Sequence, residues 1–264
     1  HTCAVTREGT VHCWGNGSNG RLGNGATSTQ TAPVQVSNLG PSASLGRALQ
    51  VAAEYAPPCA LPHDGRVACW GDNARGQCGA AAAATQATPV IVDSGANRFV
   101  QVAAHGQHTC AIRESDRAVF CWGESGSGRL GNGSTTSAAV STPVQVGGGL
   151  TNATSLLLGH DFSCAVRSSG RVMCWGSGAG GRLGQGNNTN SATPLAVRNF
   201  SGTGLIDTAI GDLGSAGNAH ACVRTLEGYV FCWGANNLRQ TGTSSTSSTL
   251  TLPSGVTGLI DAKQ

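Results

Sequence analysis

Residues 3–15 read Cys3-Ala4-Val5-Thr6-Arg7-Glu8-Gly9-Thr10-Val11-His12-Cys13-Trp14-Gly15. The same frame returns four times, as Cys59…Cys69-Trp70-Gly71, Cys110…Cys121-Trp122-Gly123, Cys164…Cys174-Trp175-Gly176 and Cys222…Cys232-Trp233-Gly234. Successive first cysteines lie 56, 51, 54 and 58 residues apart. A fixed period near fifty residues is the mark of a repeat architecture, and repeats built from short strands make a ring of small sheets.

Within the frame the residues dictate a hairpin. Cys3-Ala4-Val5-Thr6 runs one way, Arg7-Glu8-Gly9 turns, and Thr10-Val11-His12-Cys13 returns. That register sets Cys3 opposite Cys13 and Val5 opposite Val11, and opposed residues on antiparallel strands bring their β-carbons within disulfide reach. Gly9, Gly65, Gly170 and Gly228 supply the positive φ of the turn, whereas the third repeat has Asp116-Arg117 and a turn one residue longer. The expected bridges are therefore Cys3–Cys13, Cys59–Cys69, Cys110–Cys121, Cys164–Cys174 and Cys222–Cys232. Buried free thiols and metal ligation are the rival readings. Zinc sites pair cysteines two to four residues apart with a second pair or histidines nearby, and no such spacing occurs. Five bridges imply an oxidising compartment: periplasm, cell surface or extracellular space. The eleventh cysteine, Cys78, fills the place held by Leu22, Leu130 and Leu183, so a small buried hydrophobe with a free thiol is expected there.

Each repeat holds four strand-like pieces. The first feeds the cysteine: Ala48–Ala53, Phe99–Ala104, Ser155–Leu158, Leu205–Ile210. The cysteine hairpin supplies the second and third. The fourth starts at a proline, over Pro33–Val36, Pro89–Val92, Pro143–Val146 and Pro194–Val197, where a first-residue proline costs no ladder hydrogen bond. Polar loops such as Ala26–Ala32 and Asn187–Thr193 join third to fourth and are expected at the surface. Four strands in each of five repeats predict an all-β propeller of about five four-stranded blades, one cross-strand disulfide per blade. The reading is a single domain over 1–264 with repeats beginning near residues 1, 48, 98, 154 and 205. The chain opens on a second strand and closes on a first strand, Gly258–Ala262, so strands from both ends are expected to seal the ring.

Composition agrees. Forty glycines and 11% charged residues suit many tight turns and few helices. The net charge of +3, from fifteen arginines and Lys263, is too small and dispersed for nucleic acid, which needs a clustered basic footprint. No apolar run approaches a membrane span.

The segments Val102-Ala-Ala-His-Gly-Gln-His-Thr-Cys-Ala-Ile112, Gly170-Arg-Val-Met-Cys-Trp-Gly176, Gly20-Arg-Leu-Gly-Asn-Gly25 and Thr142-Pro-Val-Gln-Val146 resemble the repeats of the regulator-of-chromosome-condensation family. The resemblance covers essentially the whole chain and implies a β-propeller. The cysteine-paired form is similar to the bacterial and secreted members. Members usually carry seven blades, against five here. A family member that senses light uses clustered interface tryptophans, whereas each tryptophan here sits in the Cys-Trp-Gly place.

For chemistry the residues offer little. His1, His108 and His220 each lie two residues before a cysteine, where a hydrogen bond within the blade is the expected role; Pro57 and Phe162 hold the equivalent places. His63-Asp64 and His160-Asp161 are adjacent without a nucleophile motif beside them. Gly17–Gly25 is glycine-rich but precedes no helix and contains no lysine, so it is a turn and not a phosphate loop. Arg21, Arg129 and Arg182, with Gln77 in a fourth repeat, share one position, and arginine forks suit carboxylate or sulfate. They are the candidate ligand-facing residues, with solvated turn residues as the alternative. The expected function is a non-enzymatic, secreted or periplasmic binding module for a protein partner, within a larger surface assembly. A glycan-binding propeller and an enzyme inhibitor acting through one face are the alternatives. No cofactor or metal is expected.

Overall fold

A computed structural model describes residues 1–54, 57–81, 84–92, 95–199 and 210–259, with backbone alone over 210–216. Strand is the only extended regular structure among them, and it forms five antiparallel sheets. Described residues group into two compact units, His1–Ser125 with Ser137–Gln145, and Gly126–Thr136 with Val146–Gln264.

The first unit holds three sheets. One comprises β1 (Thr2–Val5), β2 (Val11–Gly15) and β3 (Gln30–Gln35). The next is β4 (Ala48–Ala52), β5 (Cys59–Pro62), β6 (Ala68–Asp72) and β7 (Thr85–Ile91). The third is β8 (Phe99–His105), β9 (His108–Arg113), β10 (Val119–Glu124) and β11 (Ala139–Gln145). The second unit holds β12 (Ala153–Leu158), β13 (Phe162–Arg167), β14 (Val172–Gly176) and β15 (Ser191–Ala196), then β16 (Ile210–Ala216), β17 (His220–Thr225), β18 (Val230–Ala235) and β19 (Thr249–Gly255). Strands follow chain order within every sheet, so each sheet is a simple meander.

The hairpin register is the one the sequence dictates. Cys3 pairs Cys13, Cys59 pairs Cys69, Cys110 pairs Cys121, Cys164 pairs Cys174 and Cys222 pairs Cys232. All five pairs are disulfide-bonded, with Cα atoms 4.0–4.1 Å apart. Arg117, at φ +59°, takes the turn position that glycine holds in the other hairpins. Every sheet also shifts register between the second cysteine and the glycine of Cys-Trp-Gly. Between those two positions the hairpin strand has one residue, the tryptophan, and the fourth strand has three, so the extra residues of the bulge lie on the fourth strand.

One expectation changes. The prolines do not open the fourth strands: Pro33, Pro89, Pro143 and Pro194 sit inside β3, β7, β11 and β15. Each of these strands is the outer one of its sheet, and each proline falls in the stretch that the register shift leaves without a ladder partner. The piece expected over 205–210 falls mostly outside the described residues, and β16 begins at Ile210. The closing strand expected over 258–262 and Lys263 also fall mostly outside them.

The core of each unit lies between neighbouring sheets. In the first unit, Val11, Cys13, Leu22, Val36, Leu39, Ala48, Ala60 and Trp70 form one buried cluster, and Cys59, Cys69, Cys78, Val92, Phe99 and Trp122 belong to another. In the second, Phe162, Cys164, Cys174, Leu183, Val197, Val223 and Trp233 pack together. Disulfide sulfurs are thus core atoms, and each bridge closes a loop worth roughly 2–3 kcal/mol in the chain-entropy treatment.

Candidate functional site

The turn after each of the first four Cys-Trp-Gly strands reaches onto the next sheet. The indole N–H of Trp70 donates to the carbonyl of Arg21 at 3.1 Å, Trp122 to Gln77 at 3.0 Å, Trp175 to Arg129 at 2.9 Å and Trp233 to Arg182 at 3.0 Å. Four tryptophans, fully buried, thereby each hold the turn of the preceding repeat. Where the hairpin strand carries a hydroxyl opposite the tryptophan, the same carbonyl accepts a second bond. Thr109 donates to Gln77 at 3.0 Å and Ser163 to Arg129 at 3.1 Å.

The surrounding residues follow from this contact. A β-carbon on Gly23 or Gly131 would stand 2.8 Å from the indole of Trp70 or Trp175. On Gly20, Gly76, Gly128 or Gly181 it would stand 2.5–3.0 Å from the Cα of Ala87, Ser141, Ala192 or Thr251 in the next sheet's fourth strand. Glycine is required at both places, since φ there is also positive, +66° to +83°. Leu22, Leu130, Leu183 and Cys78 are fully buried beside these turns. Burial pushes the Cys78 thiol pKa well up from its ordinary value, so it is a packing group and not a nucleophile.

The arginine place turns inward. Arg21, Arg129 and Arg182 each donate Nε to the carbonyl three residues back, on Ser18, Gly126 and Ala179. Gln77 solves the same turn with the opposite polarity: its Oε1 accepts the Arg75 N–H at 2.7 Å. Gln77 is fully buried and Arg129 8% exposed. Arg129 also donates to the His160 carbonyl, and Arg182 pairs with Asp161. These side chains serve the turn they belong to, and Arg21 is the one whose outer guanidinium nitrogens have no partner among the described residues.

The aspartates of the histidine–aspartate pairs are each held by an arginine. Asp64 is held by Arg66 at 2.6 Å, which with a backbone hydrogen bond lowers its pKa against the opposing effect of burial; Asp161 is held by Arg182. His108 is fully buried. His220 makes no ring hydrogen bond among the described residues; its ring lies over Gly217, as Phe162 lies over Gly159. The place two residues before the cysteine is thus a packing position in these two repeats. No group of three or more His, Cys, Asp or Glu side chains able to hold a metal ion occurs among the described residues.

Two open clefts lie in the first unit. A cleft of about 320 Å³ is lined by Asn97, Arg98, Arg113, Glu114 and Ser115, and another of about 220 Å³ by Leu49, His63, Asp64, Phe99 and Glu114. Arg113 is committed there, lying 4.8 Å from the ring centre of Phe120 and pairing with Asp116, whose pKa it holds down at about 2. The loops between third and fourth strands are the largely exposed surface, at 24–29, 132–138 and 187–190. No helix is long and apolar enough to cross a membrane among the described residues.

Comparison with known proteins places this arrangement. The regulator of chromosome condensation (RCC1) repeat matches residues 8–53, 64–112, 117–166 and 169–220, and a second description of that repeat matches 214–240. The RCC1 domain-containing protein RUG3, mitochondrial, of Arabidopsis thaliana is 30% identical over 98% of this chain and 57% of its own length. Human E3 ubiquitin-protein ligase HERC2 is 29% identical over 94% of this chain and 5% of its own length. Yeast RCC1 (Prp20), solved with Kap60, shares the fold with a TM-score of 0.80 at 18% identity, over 96% of this chain and 58% of that one. The chain therefore spans little more than half of the plant relative and a small part of the ligase. The five sheets are blades of a β-propeller, with one cross-strand disulfide in each.

Proposed function

Because the chain belongs to the regulator of chromosome condensation (RCC1) repeat family, we propose that it is a binding module whose disulfide-stapled blades present exposed loops to a protein partner outside the reducing cytoplasm, at the cell surface, in the periplasm or in the medium. The module itself carries out no catalysis. The observation that carries this reading is the division of labour along each repeat. Cysteines, tryptophan and the glycine-rich turn are spent on blade-to-blade packing, while the 132–138 and 187–190 loops are largely exposed. Packing that recurs in each repeat beside exposed loops is the arrangement of a scaffold that recognises through its surface. Yeast RCC1 (Prp20), which shares the fold, was solved with Kap60 bound to it. Five disulfide bridges support an oxidising location, because reduced thiols are kept as such in the cytosol.

The test is affinity capture from the native source with the bridges intact. A protein that co-purifies with the chain, and is lost when 132–138 and 187–190 are replaced by Gly-Ser of equal length at unchanged melting temperature, supports the reading. Capture unaffected by either replacement, or specific retention on a glycan array without a protein partner, overturns it.

A further inference from the structure

Four tripeptides of the form Asn-Xaa-Ser/Thr lie wholly within the described residues: Asn16-Gly17-Ser18, Asn132-Gly133-Ser134, Asn152-Ala153-Thr154 and Asn187-Asn188-Thr189. All four leading asparagines are exposed. Three of them close the same side-chain turn, in which the amide oxygen accepts the backbone N–H two residues on. Oδ1 of Asn16 accepts from Ser18 at 2.8 Å, that of Asn132 from Ser134 at 3.1 Å and that of Asn187 from Thr189 at 2.9 Å. The turn uses only the oxygen, and Nδ2 of these three has no partner among the described residues. Other asparagines are built differently. Asn73 and Asn236 are fully buried and spend Nδ2 on the carbonyls of Ala81 at 3.2 Å and Ser247 at 2.9 Å. Asn24 closes the same turn at 3.1 Å, but Ala26 brings no hydroxyl to it. Asn152 precedes β12 without such a turn bond, and the Thr154 hydroxyl already donates to the Val166 carbonyl at 3.2 Å.

We propose that Asn16, Asn132 and Asn187 are attachment sites for an asparagine-linked oligosaccharide, and that Asn152 is not. An amide nitrogen is a poor nucleophile, because its lone pair is shared with the carbonyl. Transfer to it therefore needs the hydroxyl residue two places on, together with surface room for a bulky solvated group. The three turns supply both: each folds the hydroxyl residue back against its asparagine and leaves Nδ2 over at an exposed position. In the transfer, Nδ2 attacks the anomeric carbon of a lipid-pyrophosphate-linked oligosaccharide. The bond from that carbon to the phosphate oxygen breaks, the lipid pyrophosphate leaves with the electron pair, and the amide proton passes to a base of the transferase. This rests on the location outside the reducing cytoplasm proposed above, the compartment in which disulfides form. Asn132 and Asn187 open the 132–138 and 187–190 loops, so a protein partner meets sugar beside the loop residues.

Glycopeptide mass spectrometry of the full chain from its native source, digested without reduction, tests this and maps the bridges in the same sample. Oligosaccharide should be found on Asn16, Asn132 and Asn187, with Asn152 bare. Asn132→Asp keeps the oxygen that closes the turn and removes only the nitrogen. It should lower the intact mass by one glycan, as should Asn16→Asp and Asn187→Asp, whereas Asn152→Asp should remove none. Thr189→Ser, which keeps the hydroxyl, should retain the sugar at Asn187, and Thr189→Val should lose it. Bare asparagines in a chain whose five bridges are intact overturn the proposal and leave the location standing. Reduced cysteines overturn both. Sugar confined to serine and threonine hydroxyls, or carried by Asn152 in preference to the other three, also overturns the proposal.

Discussion

The indole N–H of Trp175 reaches the backbone carbonyl of Arg129 at 2.9 Å, and that carbonyl also accepts the Ser163 hydroxyl at 3.1 Å. The carbonyl of Arg21, by contrast, accepts from Trp70 alone among side chains, because Pro58 stands where Ser163 does. Replacing tryptophan by phenylalanine should therefore cost unequal amounts. Trp70→Phe and Trp233→Phe strip the turn carbonyl of its side-chain donor, a loss of about 1–3 kcal/mol beyond the packing change. Trp122→Phe and Trp175→Phe leave one donor in place and should be milder by roughly 1 kcal/mol. Urea unfolding of the four variants checks the order; equal losses, or the reverse order, would show that the hydroxyls do not share the load.

Much of this fold is legible in the residues, and the reason is locality. The hairpin that aligns Cys164 with Cys174 is written within ten residues, as are its turn glycine and its alternation. The role of Gly-Arg-Leu-Gly is not legible in the same way. Read alone, Arg129 advertises a cation, yet the group that matters is its carbonyl, and the tryptophan that uses it lies 46 residues on. Nor does a proline reveal that its strand is the outer one; Pro143 looks like a strand start and sits inside β11, in the stretch that the register shift leaves without a ladder partner. The signal that could have uncovered the turn's role is the joint periodicity of Trp and Gly-Xaa-Leu-Gly, which recur in the same order in successive repeats.

The bridges should not be equally reducible. Cys59, Cys69, Cys110, Cys121, Cys164 and Cys174 are all fully buried, whereas Cys3 and Cys222 are partly exposed. Exchange needs an attacking thiolate to reach a sulfur. Limited treatment of the native chain with dithiothreitol, followed by alkylation and peptide mapping, should therefore label Cys3, Cys13, Cys222 and Cys232 first. Early labelling of the Cys110–Cys121 pair would contradict the burial argument.

Cys78 should behave as core. It is fully buried, its thiol donates to the Asp72 carbonyl at 3.4 Å, and burial leaves almost no thiolate at neutral pH. A chromogenic disulfide reagent should find no reactive thiol in the native protein and one equivalent per chain in denaturant without reductant. A fast-reacting native thiol, or more than one equivalent after unfolding, would mean a different cysteine inventory from five bridges and one free group.

His220 contributes a pH dependence to stability near neutrality. Burial lowers its pKa below the ordinary value near 6.5 for an exposed imidazole. In the window between the folded and unfolded pKa values the unfolded chain binds more protons, so stability from this site is fully present above about pH 6.5 and falls as pH drops through it. His220→Phe keeps a ring over Gly217, as Phe162 does over Gly159, and removes the titration. The difference in unfolding free energy between variant and parent should thus grow in the variant's favour from pH 7.5 to pH 5.5. A difference independent of pH, or one that grows toward alkaline pH, would show that the imidazole is not buried in its neutral form.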